Sequence, residues 1–257
     1  MGDFEPREPA DDSGKLDPIE LLFGGLSKLG PGDDSHTRQM LHMLPRQDFR
    51  LVVDAGCGTG RQSLVLAREL DTLIHCVDTH RPFLDELWFR AEGAGLEHLV
   101  QTHHLDMRYL GAAFEGIDLL WSEGAAYNLG FASAMTAWAA AIKPEGCAVV
   151  SECSWLCNDP PPAARRFWQS SYPTMATVGE NLRTAETSGF RCSSTHILPK
   201  SAWMEGYYEE LEVRARNLIE HQDAMVQSLA TGTLEEIALF RTAGDSYGYV
   251  FYILERA

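Results

Sequence analysis

The sequence lacks the features that mark membrane proteins and nucleic-acid-binding proteins. Its 257 residues contain no apolar run of about 18 residues, so no membrane-spanning helix is expected. Lysines and arginines form no cluster, and 37 acidic residues outnumber 21 basic ones, which gives a net charge of −16. Because an acidic surface repels phosphate groups and anionic lipids, neither nucleic acid nor a membrane is an expected partner. The charge balance therefore favours a small-molecule partner.

The sequence also lacks paired cysteines and any segment typical of a secretion signal. Its six cysteines include no Cys-x-x-Cys pair, and we expect them to be reduced thiols. The first 14 residues are acidic and have no apolar core. We therefore expect a cytoplasmic location.

Composition divides the chain into a tail and one folded unit. Residues 1–14 are rich in Asp, Glu and Pro, which predicts a disordered acidic tail. Residues 15–257 are predicted to form a single domain, in which 15–45 is a helical cover and 198–246 a helical insertion. Both helical segments are expected to lie over the same edge of a central sheet.

Between these segments, strand and helix patterns alternate along the chain. Strands are predicted near 50–55, 73–78, 99–104, 117–122, 146–152, 190–196 and 248–255. Helices are predicted near 61–70, 81–92, 130–142 and 176–188, and further helical patterns lie at 205–221 and 233–241. Asp34 or Ser35, and Thr79 or His80, are expected to cap helices, and Gly189 to end one. The alternation predicts an α/β fold whose parallel sheet is covered by helices on both faces.

A glycine-rich turn follows the first predicted strand. The strand ends in Asp54, Gly56, Gly58 and Gly60 alternate after it, and a helix begins at once. Glycines at this position let the backbone turn tightly and approach a ligand at the carboxyl edge of the sheet. A dinucleotide fingerprint requires glycine or alanine where this chain has Arg61, which disfavours a dinucleotide-dependent oxidoreductase.

A second acidic residue closes the next predicted strand. Asp78 lies 24 residues after Asp54, about the spacing at which a carboxylate meets the hydroxyls of a ribose. The same side chain is also suited to capping the helix that follows.

Several motifs together resemble class I S-adenosylmethionine-dependent methyltransferases, over roughly residues 45–197. They are Asp54-Ala55-Gly56-Cys57-Gly58-Thr59-Gly60, Val77-Asp78, His104-Leu105-Asp106-Met107, the run Asp118 to Gly124, and the run Ile142 to Val150. Within that class the sequence is similar to the type 11 group, which includes quinone-biosynthesis methyltransferases. The resemblance implies a Rossmann-like, doubly wound, mostly parallel sheet with an antiparallel last strand. It also implies S-adenosyl-L-methionine as methyl donor and S-adenosyl-L-homocysteine as product.

The resemblance further implies which residues bind the cofactor. They are Asp54, Gly56, Cys57, Gly58, Thr59, Gly60, Gln62, Asp78, Thr79, Asp106, Met107, Ser122 and Glu123. Asp78 is expected to accept from the ribose hydroxyls and Asp106 from the adenine amino group. No metal site is predicted.

The expected reaction is in-line methyl transfer to a small-molecule acceptor. If the acceptor must lose a proton, Glu123 is the preferred base, with Tyr127 and His80 as alternatives. Aromatic residues on the expected pocket segments can form a wall, a cage for a cationic amine, or simple core packing: Trp121, Tyr127, Phe131, Trp155, Phe167, Trp168, Tyr172, Trp203, Tyr207 and Tyr208. A non-catalytic S-adenosylmethionine-binding module is the main alternative function.

Overall fold

A seven-stranded sheet forms the centre of the computed structural model, which describes residues 17–257; the tail predicted for residues 1–14 lies outside them. The strands are β1 Val52–Ala55, β2 Ile74–Asp78, β3 Val100–His104, β4 Ile117–Glu123, β5 Ile142–Trp155, β6 Phe190–Ile197 and β7 Tyr247–Arg256. Their order is β3-β2-β1-β4-β5-β7-β6. β7 is antiparallel to both neighbours, and the other pairs are parallel. The predicted Rossmann-like α/β fold, including its antiparallel last strand, is confirmed.

Eleven α-helices occur in residues 17–257. They are α1 Pro18–Phe23, α2 Asp34–His42, α3 Arg61–Leu70, α4 Arg81–Ala94, α5 Leu110–Ala113, α6 Phe131–Ala141, α7 Pro162–Ser171, α8 Val178–Thr187, α9 Ser201–Trp203, α10 Glu209–Leu218 and α11 Ala224–Ala243. None of the helices in this part of the chain has the length and hydropathy needed to cross a bilayer.

Helices cover both faces of the sheet. One apolar cluster joins one face to α2, α3, α4, α7, α10 and α11, and a second joins the other face to α5, α6 and α8. Along β5 the buried side chains alternate between the clusters, so Val149 belongs to the first and Val150 to the second. This two-sided burial explains why the central strands are almost continuously apolar.

The helix ends follow local capping chemistry. The N-cap of α2 is Asp33, whose Oδ1 accepts from the backbone amides of Ser35 (2.8 Å) and His36 (3.1 Å), so the prediction of Asp34 or Ser35 was wrong by one or two residues. His80 occupies the N-cap position of α4 but makes no side-chain capping bond. Gly189, with φ of 88°, follows the end of α8 as expected.

Two late helices differ from the prediction. The sequence analysis assigned no helix to α7, although Pro162 in its first turn is a common helix-start signal. α11 begins at Ala224, well before the predicted 233–241 segment, and Asp223 caps it. The weak helix formers Thr231, Gly232 and Thr233 interrupt the pattern, but burial of one face of α11 outweighs their low propensity.

The N-terminal and late helical segments contact each other. Arg214 in α10 donates from NH1 to the carbonyl oxygen of Gly24 (2.8 Å). The hydroxyl of Ser27 donates to Oε1 of Glu210 (3.0 Å). These bonds hold the two segments together as one cover.

Replacing Gly60 by Ala should destabilise the fold. Gly60 has φ of 79°, and a Cβ there would lie 2.3 Å from Cγ of Leu87. The backbone strain and the clash together should cost about 2–4 kcal/mol, measured by denaturant unfolding. Gly93→Ala is the matched control, because Gly93 is helical and no atom lies within 4 Å of its added Cβ. That variant should gain about 0.5–1 kcal/mol. Equal stability of the two variants would contradict this packing account.

Candidate active site at the carboxyl edge of the sheet

The glycine turn is fastened to β2 by backbone hydrogen bonds. The amides of Gly56 (2.8 Å) and Cys57 (3.0 Å) donate to the carbonyl oxygen of Val77. The amide of Gly58 donates to Oδ2 of Asp78 (2.9 Å). The turn and the end of β2 therefore form one rigid unit, which fixes where the turn approaches a ligand.

Asp54 supports this turn from beneath. Its side chain is fully buried and accepts from the hydroxyl of Ser63 (2.5 Å) and from Nε2 of Gln62 (3.3 Å). Burial raises the pKa of Asp54 to about 7, while the hydrogen bonds from Ser63 and Gln62 oppose that rise. The residue joins β1 to the start of α3 and does not reach the cavity above.

A cavity of about 470 Å³ lies over the turn. Its wall includes most of the predicted site residues: Gly56, Cys57, Gly58, Thr59, Gln62, Asp78, Thr79, Asp106, Met107, Glu123 and Tyr127. Asp54, Gly60 and Ser122 are outside the wall. Gly60 is packed against Leu87, and the buried hydroxyl of Ser122 donates to the carbonyl oxygen of Ala55 (2.9 Å).

Two carboxylates face one end of the cavity. Besides the bond from Gly58, Asp78 accepts at Oδ1 from the amide of His80 (2.8 Å). Asp106 accepts at Oδ1 from the amide of Arg108 (2.8 Å). A carboxylate has about four lone-pair sites, so both side chains keep acceptor capacity for ligand hydroxyl or amino groups. Phe83 and Leu105 supply apolar surface between them.

Glu123, the preferred base, is held by three side chains. Arg61 donates from NH2 to Oε2 (2.5 Å), and Oε1 accepts from the hydroxyl of Thr37 (2.7 Å) and from Nε1 of Trp121 (2.8 Å). Only 6% of the Glu123 side chain is exposed. Three donors thus occupy acceptor sites on this carboxylate, which leaves it little capacity for a ligand. The geometry therefore favours Glu123 as a structural link between α2, α3 and β4.

Tyr127, the second candidate, faces the cavity interior. It keeps 44% of its surface accessible, yet burial among protein atoms and the nearby charge of Glu236 raise its pKa. The ring is accessible to solvent and yet surrounded by protein atoms because it lines the wall of a deep cavity. The hydroxyl stays protonated near neutral pH and can donate a hydrogen bond to a ligand.

Several wall residues were missed by the sequence analysis. Leu29 and Pro31 come from the N-terminal cover, and Tyr249 from β7. Leu29 lies over the glycine turn, since a Cβ on Gly58 would be 2.8 Å from its Cδ1. No local pattern marks these positions, because only the tertiary packing brings them to the cavity.

His80, the third candidate base, lies with two acids beside the cavity. Its Nδ1 is 3.6 Å from Oδ2 of Asp17, and burial raises the pKa of neighbouring Glu20. Ligand atoms of these three side chains lie within 4.8 Å of one another, a spacing that suits a metal ion. The sequence analysis predicted no metal site, and none of its motifs includes this group.

Comparison with known families identifies the domain that contains this site. Residues 52–146 match the family described as "Methyltransferase domain". Over these residues the chain is similar to methyltransferase domains. The match is compatible with the type 11 group, and the predicted enzyme class is confirmed. A comparison with curated proteins found no match.

Solved structures share the fold of this methyltransferase over almost its whole length. An S-adenosylmethionine-dependent methyltransferase from Geobacter sulfurreducens, in complex with S-adenosyl-L-homocysteine, has a TM-score of 0.76 at 17% identity, covering 93% of this chain and 98% of that one. One from Thiobacillus denitrificans, with the same ligand, gives 0.77 at 18%, covering 93% and 98%. The [4+2]-cyclase SpnF gives 0.76 at 18%, covering 93% of both chains.

The Arg61–Glu123 pair should contribute to the stability of the methyltransferase. Breaking a largely buried ion pair from one side costs up to about 3–5 kcal/mol, so Arg61→Met and Glu123→Gln should each unfold at lower denaturant. The double variant should lose less than the sum, with a coupling energy of about 0.5–3 kcal/mol. Additive losses would mean that Glu123 is not committed to Arg61 and is free to act as a base.

Proposed function

We propose that this chain transfers a methyl group from S-adenosyl-L-methionine to a small-molecule acceptor, releasing S-adenosyl-L-homocysteine. The observation that carries the proposal is the convergence of the glycine turn, Asp78 and Asp106 on one cavity of about 470 Å³. That volume is within the usual range of small-ligand sites. The S-adenosyl-L-homocysteine bound in the two similar methyltransferase structures supports the same cofactor here.

The wall residues fit the parts of this cofactor. The carboxylate of Asp78 suits the ribose hydroxyls, and that of Asp106 suits the adenine amino group, with Phe83 and Leu105 against the ring. Gly58 leaves room for the methionine portion, because a side chain there would fill the space below Leu29. When bound, the cofactor supplies a methyl group already activated on a sulfonium.

Alignment of the acceptor with that methyl group is then the main task of the protein. Positioning two reactants in this way supplies about 7–11 kcal/mol of the barrier reduction. We infer that Glu123, fixed by Arg61 and Thr37, holds the wall beside the reacting groups. The protonated hydroxyl of Tyr127, which also lines the cavity, orients the acceptor.

A second candidate function is suggested by the likeness to the cyclase SpnF. A protein with this fold can carry out a reaction other than methyl transfer, or bind the cofactor without using it. The release of S-adenosyl-L-homocysteine in the presence of an acceptor separates methyl transfer from these possibilities. The oxidoreductase alternative stays disfavoured, because Arg61 stands where a dinucleotide site needs a small residue.

A thermal-shift comparison tests the cofactor. At about one hundred times its dissociation constant, a ligand adds about 2.7 kcal/mol, which raises the melting temperature of a protein of this size by roughly 5–10 °C. S-adenosyl-L-homocysteine should produce this shift and NAD should produce none. A shift with NAD alone would overturn the proposal.

The variant Asp78→Asn tests the site. It keeps the shape of the side chain but loses one of the acceptor oxygens expected to meet the ribose, so the shift with S-adenosyl-L-homocysteine should shrink to a small fraction of the original. Asp85→Asn is the matched control, because Asp85 is exposed on α4 and does not line the cavity. Equal shifts in both variants would remove Asp78 from the binding site.

A further inference from the structure

Tyrosines and two glutamates gather where the late helices meet the carboxyl ends of β4 and β5 and the amino end of β7. We call Tyr127, Tyr172, Tyr208, Tyr249, Glu152 and Glu236 the acidic tyrosine cluster. Tyr127 and Tyr249 also line the cofactor cavity. The other members extend from these two rings into the protein, which places the cluster on the side of the cavity away from Asp78.

Glu152 is the most unusual member of the cluster. It is 1% exposed on β5, and neither carboxylate oxygen has a hydrogen-bond partner among residues 17–257. Burial raises its pKa to about 8, and Tyr172 is the neighbour that opposes this rise. A buried carboxyl group without partners costs about 1–3 kcal/mol or more, so its presence needs an explanation.

Glu236 is the second acid of the cluster, and it comes from a helix instead of the sheet. It lies on α11, where its Oε1 accepts from the hydroxyl of Tyr208 (2.6 Å). Burial raises its pKa, and no cationic side chain counters that effect. Neither glutamate forms an ion pair with a Lys, Arg or His in the described part of the chain. Glu152 is buried and Glu236 is half-buried, and the described residues supply no cation for either.

Tyr127 joins both acids to the cofactor cavity. The charges of Glu236 and Glu152 both contribute to its raised pKa, so both carboxyl groups lie near it. Its ring centroid is 6.1 Å from that of Tyr172. The hydroxyl of Tyr249 lies 3.2 Å from the point that a Cβ on Gly124 would occupy. The cluster therefore meets the cavity at Gly124, directly after Glu123.

We propose that the acidic tyrosine cluster is the acceptor subsite and that it binds a small basic amine, with Glu152 and Glu236 as its anionic anchors. The inference rests on the proposed methyl transfer. A cation supplies the partner that both carboxylates lack, and tyrosine faces attract cations. A neutral alcohol supplies no charge that would favour their ionised form, and an anionic acceptor would disfavour it.

The chemistry of such an acceptor balances within this site. A protonated amine first transfers its proton to an oxygen of Glu152 or Glu236, which a carboxylate of raised pKa accepts readily. The free nitrogen pair then forms the new nitrogen–carbon bond as the carbon–sulfur bond breaks, with its electron pair left on sulfur. The positive charge moves from sulfur to nitrogen, towards the acids. After the methylated amine leaves, the carboxyl proton returns to water.

Matched amines and alcohols test the proposal. With the protein saturated by S-adenosyl-L-homocysteine, benzylamine, phenethylamine and N-methylated forms of each should raise the melting temperature above the shift given by benzyl alcohol and phenethyl alcohol. In Glu152→Gln and Glu236→Gln the apparent affinity for the amines, measured from the additional shift, should fall at least tenfold. The shift from S-adenosyl-L-homocysteine should be retained. Glu235→Gln is the matched control, because Glu235 is exposed and adjacent to Glu236 in sequence, and it should behave as the wild type.

The outcomes separate the inference from the function on which it rests. The amine subsite would be overturned if S-adenosyl-L-homocysteine still shifts the melting temperature but amines bind no better than alcohols, or bind equally to all variants. The proposed methyl transfer would then stand. If S-adenosyl-L-homocysteine produces no shift in the wild type, the proposed function is overturned, and the inference with it.

A second measurement needs no ligand. Because the pKa of Glu152 is raised in the folded state, folding favours its protonated form, and the wild type should lose stability as the pH rises through about 8. Glu152→Gln should show a weaker loss between pH 6 and pH 9, measured by denaturant unfolding. Tyr172, Tyr127, Tyr249, Cys153 and Glu236 are the titratable groups nearby. An unchanged pH profile would mean that Glu152 finds a partner in solution, which would contradict the proposed role.

Discussion

The contact between Arg61 and Glu123 is the interaction on which the site depends. Arg61 begins the helix after the glycine turn, Glu123 ends β4, and Thr37 on α2 donates to the same carboxylate. The three side chains thus fasten the N-terminal cover to α3 and β4 beside the cavity. Because the pair is largely shielded from water, its loss would loosen the cover and the glycine turn together. The cover places Leu29 above Gly58, so the shape of the cavity follows from this contact.

The two sides of the cavity have different origins and different chemistry. The cofactor side consists of short-range features, a turn and the residues that end β2 and β3. The acceptor side is assembled from β5, β7 and α11, which are far apart in sequence. A shared fold therefore constrains the first side strongly and the second weakly, which agrees with the likeness of this chain to both methyltransferases and a cyclase. The acids Glu152 and Glu236 belong to the proposed acceptor side.

The sequence was sufficient for the strands and most helices, because those depend on local pattern. The spacing of Asp54, the alternating glycines and Asp78 indicates a ligand site, and these residues lie together at one edge of the sheet. The role of Glu123 could not be predicted, since its partner Thr37 lies 86 residues earlier in the chain. Tyr249 and Glu236 were missed for the same reason. Their position depends on how the late helices fold back over the sheet.

The position of β7 has a consequence for how the protein is made. This strand lies between β5 and β6, although it is synthesised after both. Until residues 247–256 have left the ribosome, β5 has an unpaired edge and β6 has no neighbour in the sheet. Such an exposed edge favours association with other chains and delays the final folding step. The proposed acceptor side, which includes Tyr249, is therefore the last part of this sheet to form during synthesis, after β1 to β4 have all been made.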